Sequence, residues 1–89
     1  MKEGDKQLII IHGMSGSGKT LLAQGLKAAM GMRFFNEPVT VFDNLEKRDL
    51  PEKWPRILNE SGHVIVTMLD EPTKTMLRKA TRIIAIRKG

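Results

Sequence analysis

Four short apolar runs along the chain predict buried strands. They are Leu8–Ile11, Val39–Phe42, His63–Leu69 and Thr81–Ile86. The first run is continuously apolar and β-branched, which is typical of a strand covered on both faces of a parallel sheet. Residues Met32–Phe35 could add a short edge strand, followed by a turn at Asn36–Pro38. The pattern therefore predicts four strands, or five with this edge strand.

The segment after the first strand has the periodicity of an amphipathic helix over Lys19–Met30. Its expected buried stripe comprises Leu22, Leu26, Ala29 and Met30. Gly25 inside the helix costs about 1 kcal/mol relative to alanine, which predicts close packing against another backbone. Gly31 is expected to end the helix, because glycine readily adopts the left-handed conformation of a helix terminus.

A shorter helix is expected before the third strand. Asp49 is able to cap a helix start, with Glu52 three residues later. Proline cannot lie deep inside a helix, so Pro55 predicts a turn over Pro51–Trp54 and a short helix over Pro55–Glu60.

Another short helix is predicted over Thr73–Lys79, with Met76 and Leu77 directed toward the core. Trp54, the one tryptophan, is expected to be partly buried on its helix, with an interface anchor as the alternative. Strands that alternate with helices imply an α/β fold, in which a parallel sheet carries helices on its outside.

Composition narrows the class of protein. A chain of 89 residues predicts one small domain over 1–89. The chain has no cysteine, which excludes disulfides and thiolate metal sites. No apolar run approaches the roughly 20 residues that span a bilayer, and the start MKEGDKQ is too polar for a signal peptide. We therefore expect a cytoplasmic protein.

The formal net charge of +5 favours nucleotides, nucleic acid or acidic partners, although a basic solvated surface is the alternative. Basic residues cluster toward the end of the sequence, at Lys74, Arg78, Lys79, Arg82, Arg87 and Lys88. This cluster is either solvated surface or the best place on the chain for DNA, RNA or the phosphate of a neighbouring subunit.

The main candidate chemistry lies between the first strand and the first helix. Gly13–Thr20 fits the pattern G-x-x-x-x-G-K-[ST]. Glycines let backbone N–H groups wrap around phosphates, and the helix start adds partial positive charge. Lys19 is expected at the β- and γ-phosphates, and the hydroxyl of Thr20 on Mg²⁺. The predicted nucleotide-binding residues are Gly13, Met14, Ser15, Gly16, Ser17, Gly18, Lys19, Thr20 and Leu21.

A magnesium nucleotide site also needs an acid at the end of a neighbouring strand. Asp43 directly follows the run Val39–Phe42 and is expected to hold Mg²⁺ through water. Thr20 and Asp43 are therefore the predicted metal residues. The alternative is an ordinary aspartate at the end of a strand.

With these residues, the chain resembles a P-loop NTPase, with Gly13–Thr20 as the Walker A motif and Asp43 as the Walker B acid. The order of elements is closer to the AAA+ and superfamily 3 helicase branch than to nucleotide kinases. The resemblance covers about Leu8 to Ile86 and implies a three-layer P-loop NTPase-like sandwich of α/β class. Such a sandwich has a parallel sheet of four or five strands and short helices on both faces. It also implies ATP and Mg²⁺ as cofactors.

The same resemblance implies further catalytic residues. In that branch a later strand ends in a polar residue called sensor 1, and Thr67 has this place here, with Asp70 as the alternative. The arginine finger of such rings lies near the junction of the next helix and the last strand, where Arg78 or Arg82 is the candidate. The catalytic set implied by the resemblance is Lys19, Asp43, Thr67 and Arg78.

One departure from the family pattern concerns turnover. The residue after the Walker B acid is usually a second acid that activates water, and here it is Asn44. An amide can orient water but cannot take its proton, so a loss of general-base catalysis is expected. Glu71 or Asp70 could substitute from the adjacent strand end. The usual helical lid domain has no counterpart in the sequence.

Three functional hypotheses follow. The leading one is an ATP-binding, Mg²⁺-dependent ATPase that acts as a homo-oligomer or with a nucleic-acid-processing partner. The second is a nucleotide-binding regulatory or inhibitory module without turnover, which mimics part of a larger ATPase and would have that ATPase as its partner. Asn44 and the missing lid favour this hypothesis. The third and least favoured is a small-molecule kinase, because the chain has little room for an acceptor pocket and a lid.

Overall fold

A computed structural model describes residues 6–14, 16, 18–33 and 37–86. This part of the chain forms a four-stranded parallel sheet with the strand order β2-β3-β1-β4. The strands are β1 (Leu8–Gly13), β2 (Val39–Leu45), β3 (His63–Met68) and β4 (Arg82–Ile86). The helices are α1 (Lys19–Arg33), α2 (Leu50–Asn59) and α3 (Lys74–Lys79), and a short 3₁₀ helix over Lys47–Asp49 precedes α2. The predicted α/β class and parallel sheet are confirmed.

The two faces of the sheet carry two separate apolar clusters. On β1, Leu8 and Ile10 pack into the cluster that contains residues of α2 and α3. Ile9 and Ile11 pack into the other cluster, which contains residues of α1. All six residues of β3 are buried. The two central strands are thus covered on both sides, which explains why their sequences are continuously apolar.

The first helix differs from its prediction at its end and at Gly25. It continues through Gly31 to Arg33, so Gly31 does not end it and Met32 is helical rather than extended. A Cβ added at Gly25 would meet nothing within 4 Å, so the expected close packing at this glycine is wrong.

The buried stripe of α1 is also rotated from the expected one, because Ala23 is buried together with Met30 whereas Ala29 is exposed. Gly25 therefore lies on the solvent side of the helix. The remaining residues of the predicted edge strand and turn, 34–36, lie outside the described residues, as do 1–5 and 87–89.

The second helix is longer than predicted. It runs from Leu50 to Asn59 through Pro55, so the expected turn over Pro51–Trp54 is wrong. Pro51 lies in the first turn, where a missing N–H costs no intrahelical bond. Pro55 has no N–H to donate to the carbonyl one turn earlier, but it lies on the exposed side of the helix, where water can reach that carbonyl. The side chain of Asp49 makes no capping hydrogen bond. Trp54 is half-buried against the cluster of α2 and α3, as predicted.

The third helix begins one residue later than predicted, at Lys74. Thr73 caps it, since its Oγ1 accepts a hydrogen bond of 3.2 Å from the N–H of Met76. Met76 is buried as expected, but Leu77 is 50% exposed, so the prediction that both face the core is half right. None of the helices within the described ranges combines the length and the hydropathy needed to cross a bilayer.

Candidate functional site

Because the four strands are parallel, their carboxyl ends share one edge of the sheet, here named the carboxyl edge. β1 lies between β3 and β4 and leads at this edge into the glycine loop, residues 14–18. Gly16 and Gly18 have φ angles of 77° and 87°, which glycine adopts without strain. A Cβ at either position would meet nothing within 4 Å, so the backbone conformation, rather than space, requires glycine. Ser15 and Ser17 lie outside the described residues.

Lys19 begins α1 and turns its side chain back under the glycine loop. It is only 7% exposed. Its Nζ donates hydrogen bonds of 2.8 Å to the carbonyl oxygen of Gly13 and 2.7 Å to that of Met14. These carbonyls satisfy an ammonium that would otherwise be buried without a partner. The loop therefore holds a positive charge directly beneath its backbone.

The start of α1 and the end of β2 bring Thr20 and Asp43 together. The hydroxyl of Thr20 lies 3.3 Å from Oδ1 and 3.4 Å from Oδ2 of Asp43. Both residues are exposed at the carboxyl edge. The two residues predicted to hold a metal ion are thus adjacent in space, although 23 positions separate them in the chain.

Thr67 lies behind this pair on β3 and is fully buried. Its hydroxyl donates a 2.6 Å hydrogen bond to Oδ1 of Asp43 and accepts a 2.8 Å hydrogen bond from the backbone N–H of Asn44. Asn44 has a φ of 57°, in the left-handed region. The sequence predicted Thr67 as a polar residue of the site, and the structure brings it to Asp43 from the neighbouring strand.

An open cleft of about 960 Å³ lies above the carboxyl edge, within the range of roughly 300–1,000 Å³ that is typical of ligand sites. Gly16, Gly18 and Lys19–Leu21 line one side of it. Asn44–Arg48 and Leu69–Asp70 line the other side. All of these residues on the first side belong to the predicted nucleotide-binding set, and Leu21 among them is 75% exposed.

A charged segment directly follows β2. Its residues Glu46, Lys47 and Arg48 form part of the cleft wall. The Nε of Arg48 donates a 2.6 Å hydrogen bond to Oε2 of Glu46, and this bond, with the charges of Glu46 and Asp49, raises the pKa of Arg48. The sequence signal that could have indicated this wall is a run of charges directly after the strand that ends in Asp43.

Asp70 lines the cleft at the end of β3, which is the strand next to β1. Asp70 and Glu71 are the two residues that the sequence offers in place of the water-activating acid, a position that Asn44 has here. Glu71, the other, is exposed but is not among the lining residues of the cleft. Of these two acids, only Asp70 lines the cleft.

Arg78 and Arg82 lie at the opposite edge of the sheet, here named the amino edge. Arg82 pairs with Ile9 near the start of β1. The N–H of Thr81, between the two arginines, donates a 2.8 Å hydrogen bond to the carbonyl oxygen of Leu8. Neither arginine lines the cleft of its own chain. Only a neighbouring molecule could bring them to such a cleft, so the arginine-finger assignment stays a prediction.

The residues at the carboxyl edge fit a magnesium ion that is held mainly by phosphates and water. Mg²⁺ prefers oxygen ligands and usually takes few of them from protein. Thr20 and Asp43 offer a hydroxyl and a carboxylate side by side. Within the described residues, no group of three or more His, Cys, Asp or Glu side chains could hold a metal alone. A metal at this site would therefore need oxygens from its ligand.

No protein-family model, curated protein or solved structure matches this chain. The functional inference therefore depends on the geometry of the carboxyl edge and on the sequence pattern of the glycine loop.

Proposed function

We propose that the carboxyl edge binds a nucleoside triphosphate, in the first place ATP, together with Mg²⁺, in a P-loop NTPase-like site. The observation that carries this proposal is the approach of the Thr20 hydroxyl to the Asp43 carboxylate at 3.3–3.4 Å. A glycine-rich turn could occur for structural reasons alone, but such a turn would not require a metal-binding pair beside it.

The phosphates would lie against the glycine loop. The left-handed glycines expose backbone N–H groups, and the first turn of α1 adds unpaired N–H groups with partial positive charge. Lys19 would exchange its two carbonyl acceptors for phosphate oxygens, which are stronger partners because they carry charge. Bound Mg²⁺ would neutralise charge on the β- and γ-phosphates, with Thr20 and Asp43 on its protein side.

Turnover of the triphosphate, ATP + H₂O → ADP + phosphate, is the second part of the proposal. Asn44 cannot take a proton from water, whereas Asp70 borders the same cleft and carries a carboxylate. We therefore propose a slow ATPase. The alternative is a regulatory module that binds nucleotide without turnover, and Asn44 next to Asp43 is the observation that favours it.

Partners would complete this small site. The cleft is open, and Leu21 and Leu69 on its rim are 75% and 58% exposed. We propose that a second copy or a nucleic-acid-processing partner covers this rim in the cytoplasm. DNA or RNA could lie on the basic residues of α3 and β4. A neighbouring copy could contribute Arg78 or Arg82 to the cleft.

The first experiment measures the affinity for ATP in Mg²⁺ by calorimetry, and then phosphate release with and without DNA or RNA. Lys19→Ala should weaken binding about 100-fold, because it removes charge-assisted hydrogen bonds to phosphate. Lys27→Ala is the matched control, since Lys27 is an exposed lysine on the same helix outside the cleft. Unchanged affinity in Lys19→Ala would contradict the proposed site.

The same assay separates the functional alternatives. Tight binding with no phosphate release under any condition would favour the regulatory module. Transfer of the phosphate to an added small-molecule acceptor would indicate a kinase. Sedimentation with and without nucleotide tests the oligomer, and a monomer in every state would contradict a role for Arg78 or Arg82 in a neighbour's site.

A further inference from the structure

The end of β2 contains a local irregularity that faces Thr67. Phe42 of β2 pairs with Val66 of β3, but the next pair joins Leu45 to Met68. Asp43 and Asn44 therefore both lie opposite the single residue Thr67. This arrangement is a β-bulge, a feature that commonly redirects a side chain near a functional site.

The bulge depends on the backbone of Asn44. Its φ of 57° lies in the left-handed region, which asparagine adopts more readily than most residues with a side chain. In this conformation the N–H of Asn44 points at Thr67 and donates a 2.8 Å hydrogen bond to its hydroxyl oxygen. Asn44 thus acts on Thr67 through its backbone N–H, and this contact does not use the exposed carboxamide of its side chain.

The hydroxyl of Thr67 has a defined orientation as a result. A hydroxyl has one proton to donate. Thr67 accepts from Asn44 and directs its proton to Oδ1 of Asp43 at 2.6 Å, which is a short hydrogen bond typical of a charged acceptor. Because Thr67 is fully buried, water does not reach its hydroxyl as an alternative partner.

From this geometry we infer that Thr67 and Asn44 are positioning residues that act through Asp43. Asn44 orients the hydroxyl of Thr67, and Thr67 holds Oδ1 of Asp43. Oδ2 is left without this short bond and lies 3.4 Å from the hydroxyl of Thr20, the other residue proposed for the metal. Thr67 itself does not contact the nucleotide. This inference rests on the proposed function, since it assigns the chain Asn44–Thr67–Asp43 to the binding of the magnesium form of the nucleotide. It also explains an amide at position 44, where a left-handed backbone is needed.

The test compares nucleotide affinity in Mg²⁺ with affinity in excess EDTA, because only the first needs an oriented Asp43. Thr67→Val keeps the shape of the side chain but removes the hydroxyl, and it should weaken Mg²⁺–ATP about tenfold, as is usual for groups that orient a metal ligand. Affinity in EDTA should stay unchanged. Thr67→Ser is the matched control, and it should restore most of the Mg²⁺-dependent affinity.

A second pair tests the backbone without altering the buried threonine. Asn44→Gly permits a φ of 57° and should keep the Mg²⁺-dependent affinity, whereas Asn44→Val disfavours this φ and should lose it about tenfold. This pair decides the question if Thr67→Val does not fold.

The contrary outcomes are distinct. Equal weakening of both affinities in Thr67→Val, or none in either, would overturn the positioning role while leaving the nucleotide site intact. Equal behaviour of the two Asn44 variants would overturn the backbone role. Failure of the wild-type chain to bind ATP in Mg²⁺ or in EDTA would overturn the proposed function together with this inference.

Discussion

The two edges of the sheet use their polar groups in opposite ways. At the amino edge, His63 is fully buried and lies between two partners. The N–H of Gln7 donates a 2.9 Å hydrogen bond to Nδ1 of His63, so this ring nitrogen is an acceptor and Nε2 carries the proton toward Glu37, 3.1 Å away. The hydroxyl oxygen of Thr81 similarly accepts from the N–H of Leu8.

At the carboxyl edge, polar groups lie in the wall of the cleft or directly beside it. Thr20 and Asp43 are exposed, and Asn44 and the glycines of the loop have left-handed backbones. The amino edge closes the sheet with bonds between its own residues, whereas the carboxyl edge combines internal bonds with the exposed side chains of Thr20 and Asp43. We therefore expect substitutions at the amino edge to change stability and substitutions at the carboxyl edge to change binding.

The largest effect is expected for Gly62→Ala at the amino edge. A Cβ at Gly62 would collide with the backbone carbonyl of Pro38, and the same carbonyl accepts a 2.9 Å hydrogen bond from the N–H of His63. We expect a loss of about 3 kcal/mol in the free energy of unfolding, measured by urea denaturation. Gly31→Ala is the control, since its added Cβ meets nothing within 4 Å. Equal stability of the two variants would contradict the close approach.

His63→Leu should have the next largest effect. The change leaves the N–H of Gln7 without its acceptor and Glu37 without the ring N–H, at a cost of about 2 kcal/mol. The control is His12→Leu, at the other end of β1, which should lower the free energy of unfolding by less because His12 is only half-buried. Urea denaturation measures both, and ATP affinity of folded His63→Leu should equal that of the wild type. Reduced affinity there would show that the two edges are coupled.

Asp43→Asn should instead change the affinity for ATP more than the stability of the fold. The amide still accepts the hydrogen bond from Thr67 but loses the charge that attracts Mg²⁺, so Mg²⁺-dependent ATP affinity should fall about tenfold. The free energy of unfolding should fall by no more than about 1 kcal/mol, because the neutral amide keeps a weaker hydrogen bond with Thr67. Glu52→Gln, which removes an exposed acid of α2 that does not line the cleft, is the control for calorimetry. A large loss of stability in Asp43→Asn would assign this residue to the fold instead.

The smallest effect is a gain in stability from Gly25→Ala. Gly25 is exposed inside α1 and has free space for a Cβ, so alanine should add about 1 kcal/mol to the free energy of unfolding. Gly18→Ala should instead destabilise the chain, because its φ of 87° strains any residue with a Cβ. Thermal denaturation compares the two, and the same sign of change in both would contradict the conformational argument.

The sequence predicted best those features that are local. The continuous apolar runs predicted the strands, because burial on both faces of a parallel sheet leaves a local signature. The pairing of Asp43 with Thr20 also followed from a local pattern, an acid directly after an apolar strand. The end of α1 was missed because glycine is tolerated inside a helix at a cost of about 1 kcal/mol, so Gly31 alone does not stop it.

Features that depend on register or on distant partners could not be predicted. The bulge at Asp43 and Asn44 exists only because β2 pairs with β3 in a particular register. The burial of His63 depends on Gln7 and Glu37, which are far from it in the chain. A turn was predicted before Pro55 because proline disfavours the interior of a helix. In the structure, the packing of Ile57 and Trp54 outweighs the hydrogen bond that Pro55 removes from α2.

The two hydrogen bonds of Lys19 to loop carbonyls have a consequence for selectivity. The carbonyl oxygens of Gly13 and Met14 compete with any anion for the ammonium of Lys19, because the anion must displace them. A ligand with a single charged oxygen exchanges these bonds for fewer new ones. A polyphosphate offers several charged oxygens to the ammonium and to the loop N–H groups at once. Under the proposed function, we therefore expect the loop to favour ligands with many anionic oxygens over simple anions.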